Sequence, residues 1–93
     1  MLKITVKNDD HQVAMRLEGR LIGPWVGEVE RSWREVNRHN GSLPALIDLT
    51  DVTFINAEGK KLLGRIYRAG AELRAGALMK LTLEQIKKGT KRP

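Results

Sequence analysis

Few side chains in this sequence have the types and spacing that catalysis requires. The two histidines, His11 and His39, lie in a predicted turn and beside a predicted helix end, without a nucleophile or metal-ligating partner at a recognisable spacing. Asp48 ends a predicted strand and Asp51 lies in a predicted turn, where aspartates commonly accept hydrogen bonds from local backbone. The glycines match neither the phosphate-loop spacing nor the dinucleotide-binding pattern. We therefore expect no enzyme, no bound metal and no cofactor.

The best candidate for binding is the start of a predicted helix at residues 56–59. Asn56 is a favourable N-cap, and a helix that follows a parallel strand presents its free N–H groups at the edge where ligands of open α/β sheets dock. The small residues there let another chain approach closely. Glu58 is either a contact or only a favourable charge at the helix dipole, worth about 0.3 to 1 kcal/mol. The predicted partner-binding residues are Asn56, Ala57, Glu58, Gly59, Lys60 and Lys61.

The elements before this helix can be predicted from periodicity and turn chemistry. Residues 2–7 and 13–17 alternate apolar and polar side chains around an Asn-Asp-Asp-His turn, which is typical of a β-hairpin. Residues 19–23 are expected to form an irregular crossing. Pro24 suits the first position of a helix, whose N–H would be unpaired in any case.

This first helix is predicted to be amphipathic and to end at Asn40 and Gly41. Trp25 and Trp33 share its apolar side with three valines. Two tryptophans on one face could form a platform for a ligand, but large core anchors at helical spacing are the better interpretation.

The next segment predicts the central strand of a parallel sheet. Residues 45–49 (Ala-Leu-Ile-Asp-Leu) are almost continuously apolar, as in a strand that is covered on both faces. After them, residues 50–55 are expected to form a connection in which Val52, Phe54 and Ile55 are buried.

The rest of the chain completes an α/β pattern. A helix with an apolar side follows Asn56 and ends at Gly70, a short strand is expected near residues 72–75, and residues 81–88 can form a closing helix. The strand, helix and parallel strand form a right-handed βαβ unit.

Length and composition predict one domain over residues 1–88 and a basic tail over residues 89–93. The chain has no cysteine and no apolar run that could span a membrane, which fits a cytoplasmic protein.

The charge is distributed unevenly along the sequence. Residues 1–59 carry 7 Lys+Arg against 9 Asp+Glu, and residues 60–93 carry 10 Lys+Arg against 2 Asp+Glu. The excess of positive charge in residues 60–93 has three possible explanations: a solvated tail or helix face, an acidic protein or membrane partner, or a nucleic-acid partner. The last is disfavoured because the usual recognition motifs are absent.

Residues 46–59 (LIDLTDVTFINAEG) and the following helix with Leu62 and Leu63 resemble the signature of STAS domains. These domains include bacterial anti-sigma factor antagonists and the cytoplasmic domains of sulfate transporters. The resemblance covers residues 2–88 in element order. It implies an α/β fold with about four strands in a mixed sheet, helices packed on one side, and a non-enzymatic protein-interaction module in bacterial signalling and transcription regulation.

The resemblance also implies a control mechanism that this sequence lacks. In the antagonists the helix starts with Asp-Ser-Ser-Gly or a close relative, and a serine kinase that doubles as an anti-sigma factor phosphorylates a hydroxyl there and so releases the antagonist. Here Asn56 replaces the Asp, Ala57 the first hydroxyl and Glu58 the second, so that Glu58 is the phosphorylation-equivalent position. Glu58 then either partly mimics phosphate or pairs with a basic residue of another partner, and we slightly favour the pairing.

The partner that the resemblance implies is a protein. It is an anti-sigma factor or serine kinase in the first hypothesis. In the alternative, the chain is an accessory subunit of a lipid-trafficking or anion transporter and its partner is the transporter ATPase. We expect no nucleic-acid partner and no membrane insertion, and the resemblance allows a weak homodimer.

Overall fold

The structure is a computed structural model that describes residues 1–39, 41 and 43–89. The predicted helix stop at Asn40 and the predicted tail beyond Gly89 lie outside the described residues. The elements follow the order β1 (Leu2–Asn8), β2 (Val13–Leu21), α1 (Pro24–His39), β3 (Ala45–Ile55), α2 (Ala57–Arg68), β4 (Glu72–Arg74) and α3 (Lys80–Gly89).

The strands form one mixed sheet in the order β1-β2-β3-β4. β1 and β2 are the predicted antiparallel hairpin, whereas β2 with β3 and β3 with β4 pair in parallel through the crossover helices α1 and α2. β3 lies between β2 and β4, in the interior of the sheet, as predicted for the central strand. The predicted α/β fold with a four-stranded mixed sheet is confirmed.

The core lies between one face of the sheet and the helices. α1 and α2 contact each other and the same sheet, and α3 packs against α2. Trp33 is buried and Trp25 packs against the core, so the interpretation of both as core anchors is confirmed. The strand residues in the core include Met15, Leu17, Ile47, Leu49 and Val52, and the helical ones include Val29, Leu62, Leu63, Ile66, Leu83 and Ile86.

The expected irregular crossing at residues 19–23 is wrong for its first half, because β2 continues to Leu21. The pairing of β2 with β3 shifts here through a bulge on β3: Gly19 lies opposite Val52 and Arg20 opposite Phe54, so Thr53 is an extra residue, and Gly19 itself has a φ of 113°. A Cβ at Gly19 would collide with the carbonyl oxygen of Met1. Glycine is therefore required where β1 closely approaches the bulge.

The expected connection at residues 50–55 is also wrong, because β3 continues to Ile55. Its pairing with β2 extends to the ends of both strands, where Leu21 lies opposite Ile55. Val52 and Ile55 are buried as predicted, but Phe54 is 46% exposed. The extra residue Thr53 interrupts the alternation of β3, so Phe54 leaves the face that Val52 occupies and Ile55 returns to the core.

Candidate functional site

The start of α2 is built around Asn56. Asn56 has an extended backbone, and its side-chain Oδ1 accepts a hydrogen bond of 2.8 Å from the backbone N–H of Gly59. Its own N–H donates to the carbonyl oxygen of Leu21 at 3.1 Å, which ties the helix start to the end of β2. The predicted N-cap is confirmed, and it fixes α2 to the carboxyl end of the sheet.

Gly59 brings the first turn of α2 into close contact with the sheet. A Cβ built on Gly59 would lie 2.9 Å from Cγ2 of Ile55 and 3.1 Å from Cγ of Leu21. Both neighbours are buried core side chains. Gly59 itself is buried and Asn56 is half-buried, so these two residues support the helix start from beneath.

The other residues predicted for partner binding form the outer side of this turn. Ala57, Glu58, Lys60 and Lys61 are all exposed. Glu58 Oε1 lies 3.7 Å from Lys61 Nζ in an exposed ion pair. Such a pair contributes little to stability, but it places a positive charge beside the carboxylate.

The structure adds Phe54 and Arg20 to this site, and the sequence analysis missed both. They are register partners at the ends of β3 and β2, and the Arg20 guanidinium lies 5.6 Å from the centre of the Phe54 ring. No pattern within residues 52–55 signals this, because strict alternation would place Phe54 on the same face as the buried Val52, and only the register shift between β2 and β3 turns it outward. We call the exposed set Arg20, Phe54, Ala57, Glu58, Lys60 and Lys61 the docking surface.

The hydroxyl groups nearest to this surface are occupied by contacts within the sheet. Thr53 Oγ1 donates to the Gly19 carbonyl at 3.3 Å, and Thr50 Oγ1 donates to Asp48 Oδ1 at 2.5 Å. Both threonines belong to β3 rather than to the helix start. Positions 57 and 58 at the beginning of α2 carry no hydroxyl.

The two aspartates considered for chemistry have separate local partners. Asp48 Oδ1 also accepts the backbone N–H of Thr50 at 3.0 Å, whereas Asp51 pairs with Arg16. Partial burial alone would raise the pKa of Asp48, but the hydrogen bonds from Thr50, helped by nearby arginines, outweigh it and lower that pKa. Asp48 is thus held as a carboxylate, which suits a structural role better than proton transfer.

The histidines do not join these aspartates. His11 donates its backbone N–H to Asp9 in the turn between β1 and β2. His39 ends α1, and its Nδ1 lies 3.0 Å from the carbonyl oxygen of Glu35. Among the described residues no group of three His, Cys, Asp or Glu side chains could hold a metal ion.

A groove of about 740 Å³ lies at the opposite end of the sheet. It runs between the end of β1 and the second half of α1, near Val13 at the beginning of β2, whereas the docking surface adjoins the end of β2. Its lining is Val6, Asn8, Val13, Arg31, Ser32, Glu35, Val36, His39 and Leu43. The groove and the docking surface therefore share no residue.

Neither a protein-family model nor a curated protein matches this chain. The antisigma-factor antagonist STAS domain from Rhodobacter sphaeroides superposes on it with a TM-score of 0.59, over 97% of this chain and 96% of that one, at 17% identity. The chain has the fold of a STAS domain. The implied STAS-like architecture is therefore confirmed for almost the whole chain.

Part of a solved structure of Mglu superposes on this chain with a TM-score of 0.60 at 17% identity. The match covers 76% of this chain but only 18% of the Mglu chain. Within the described residues, no helix is long and apolar enough to cross a membrane.

Proposed function

We propose that this STAS-like chain is a non-enzymatic protein-interaction module that binds its partner through the docking surface, in the manner of an anti-sigma factor antagonist whose binding is not switched by a kinase. The observation that carries the proposal is an exposed aromatic side chain, Phe54, beside a helix start that has no hydroxyl to phosphorylate. The STAS-like fold supports the general role.

The composition of the docking surface suits a protein partner. Aromatic residues and arginine dominate binding hot spots, and here the Arg20 guanidinium lies against the Phe54 ring. Ala57, the first residue of α2, is small enough for close approach. The charged side chains of Glu58, Lys60 and Lys61 provide a polar rim around this centre, which is the usual anatomy of a reversible interface.

The residue at the phosphorylation-equivalent position supports constitutive binding. A phosphate group would add about −1.5 to −2 charges and three acceptor oxygens, whereas Glu58 supplies one charge and two oxygens. Lys61 at 3.7 Å offsets part of that charge. Glu58 is therefore a weak substitute for phosphate and serves as a contact with a basic residue of the partner.

Capture from a lysate of the source cells tests the docking surface. The tagged wild-type chain is compared with Phe54→Ser and with Val6→Ser, a matched control because Val6 is 42% exposed on the edge strand β1. We expect Phe54→Ser to lose the partner and Val6→Ser to retain it, since only Phe54 lies on the docking surface. Equal capture by all three chains would contradict the proposal.

The identity of the captured protein distinguishes the two hypotheses for the wider role. A serine kinase or anti-sigma factor, identified by mass spectrometry, would make the chain a constitutive antagonist. A transporter ATPase or permease would make it an accessory subunit instead. In either case, loss of the captured protein in Phe54→Ser assigns the contact to the docking surface. Unchanged capture shows that the contact lies elsewhere on the molecule.

A further inference from the structure

A second exposed apolar surface lies at the start of α3, away from the docking residues. Leu78 is 66% exposed and Leu81 is 68% exposed, more than any other large apolar side chain of the described residues except Met1. Lys80 lies between them and Lys88 follows in the same helix, and both are exposed. We call Leu78, Lys80, Leu81 and Lys88 the leucine patch.

The core packing of α3 fixes the outward direction of this patch. Met79, Leu83 and Ile86 are buried in the core, so the apolar side of α3 faces the core. Leu81 falls on the opposite side by helical spacing, and Lys88, seven residues later, returns to nearly the same side. Among the described residues, therefore, no apolar surface covers either leucine.

The charge of the outward side of α3 is positive in sum: the exposed Lys80 and Lys88 lie four residues to either side of one exposed carboxylate, Glu84. In the sequence, residues 60–93 carry 10 Lys+Arg against 2 Asp+Glu. Among the described residues, Lys80 and Lys88 make no ion pair, whereas most charged residues of α1 do. A second copy of the chain would bring like charges together here, so self-association through this patch is disfavoured.

We propose that the leucine patch binds the surface of an anionic lipid membrane. Leucine and lysine are characteristic of segments that lie in a membrane interface, because the apolar side chains enter the boundary of the acyl chains while the lysines remain among anionic headgroups. Protein hot spots instead favour Trp, Tyr and Arg and contain few leucines, and interfaces between proteins are depleted in lysine. The contrast with Phe54 and Arg20 on the docking surface separates the two kinds of partner.

This contact is shallow and peripheral. Leu78 precedes α3 and Leu81 lies in its first turn, so two side chains enter the interface while α3 stays packed on α2. The sequence predicts no membrane insertion, and nothing in its pattern distinguishes either leucine. Their exposure beside unpaired lysines is the observation that changes that expectation to surface binding.

Sedimentation with vesicles tests the proposal on the full chain. Wild type is mixed at low salt with vesicles of phosphatidylcholine alone or with added phosphatidylglycerol. We expect binding only to the anionic vesicles, and a loss of about tenfold in the partition coefficient for Leu78→Ser with Leu81→Ser, because the apolar part of the contact is removed. Circular dichroism melting checks that the variants remain folded, as expected for exposed positions.

A charge-matched pair of variants tests whether the contact is local. Lys80→Glu with Lys88→Glu and Lys3→Glu with Lys7→Glu change the net charge equally, but only the first pair lies in the patch. We expect the first pair to weaken binding much more than the second. Equal weakening would show general charge attraction and overturn the proposal.

Two further results would also overturn it. One is the absence of wild-type binding to phosphatidylglycerol vesicles at low salt. The other is binding that the leucine variant leaves unchanged. If wild type ignores vesicles but loses a captured protein when both leucines are replaced, the patch belongs to a protein partner and the membrane proposal is wrong.

Discussion

Gly59 shows how the size of one residue shapes the docking surface. Its missing side chain lets the first turn of α2 lie directly on Ile55 and Leu21, while its N–H is held by Asn56. The exposed residues on either side, Glu58 and Lys60, are presented by a turn whose position is set by this contact. A residue that does not face the partner thus determines where the surface residues lie.

Two glycine substitutions separate helix propensity from packing. Gly59→Ala places a methyl group against buried, stiff neighbours, so we expect it to destabilise the fold by about 1 to 3 kcal/mol. Gly27→Ala in α1 meets nothing within 4 Å, and there we expect a gain of about 0.5 to 1 kcal/mol from helix propensity. Urea unfolding of both variants measures the two effects. Stabilisation by Gly59→Ala would show that the helix start is not packed as described.

At the scale of an element, the start of α2 depends on the cap that Asn56 provides. Its Oδ1 satisfies one of the N–H groups that a helix start leaves unpaired. Asn56→Ala should therefore cost about 1 kcal/mol in the free energy of unfolding, whereas Asn56→Asp should keep or increase stability because a carboxylate caps as well and complements the helix dipole. Thermal unfolding of the two variants checks this order, and equal losses for Ala and Asp would refute the cap.

β3 also contains a pH-dependent contact. Since hydrogen bonds from Thr50 lower the pKa of Asp48 in the folded chain, the unfolded chain binds the proton more readily. The stabilisation is complete above the ordinary carboxyl pKa of about 3.9 and is lost as the pH falls through that value and the lower folded value. Urea unfolding between neutral and acidic pH should therefore show a smaller acid loss for Asp48→Asn than for wild type. An unchanged pH profile would contradict this.

The elements differ in how far the sequence determines them. The hairpin, α1 and the capped start of α2 follow from periodicity and cap residues, which are local signals. The extension of β3 to Ile55 depends on pairing with β2, and that pairing includes a bulge in which Thr53 is an extra residue opposite Gly19 and Arg20. No local pattern reports such a register shift. The exposure of Phe54, and with it the pair of Phe54 and Arg20 on the docking surface, could not be predicted for the same reason.

At the scale of the whole molecule, the charge is unevenly distributed between the two halves of the chain. The helix start that carries the docking surface contributes Lys60 and Lys61 to the positive half. Long-range attraction affects the association rate more than the dissociation rate. An acidic partner would therefore be drawn toward the same end of the molecule that carries Phe54.

Replacing Lys60 and Lys61 by Glu tests this attraction. With the captured partner immobilised, we expect the association rate constant to fall by about tenfold at low salt and the dissociation rate constant to change little. The difference from wild type should shrink as salt is added, because the charges are exposed and screened. Surface plasmon resonance at two salt concentrations measures both constants. An unchanged association rate constant would show that Lys60 and Lys61 do not attract the partner.

The central claim is that the docking surface binds a protein without a phosphate switch. The most direct measurement incubates the wild-type chain and the Ala57→Ser, Glu58→Ser variant with cell lysate and ATP, maps phosphate by mass spectrometry and records whether the captured partner stays bound. We predict that wild type carries no phosphate on residues 50–60 and retains its partner. Phosphate on those wild-type residues, accompanied by release of the partner, would contradict the account.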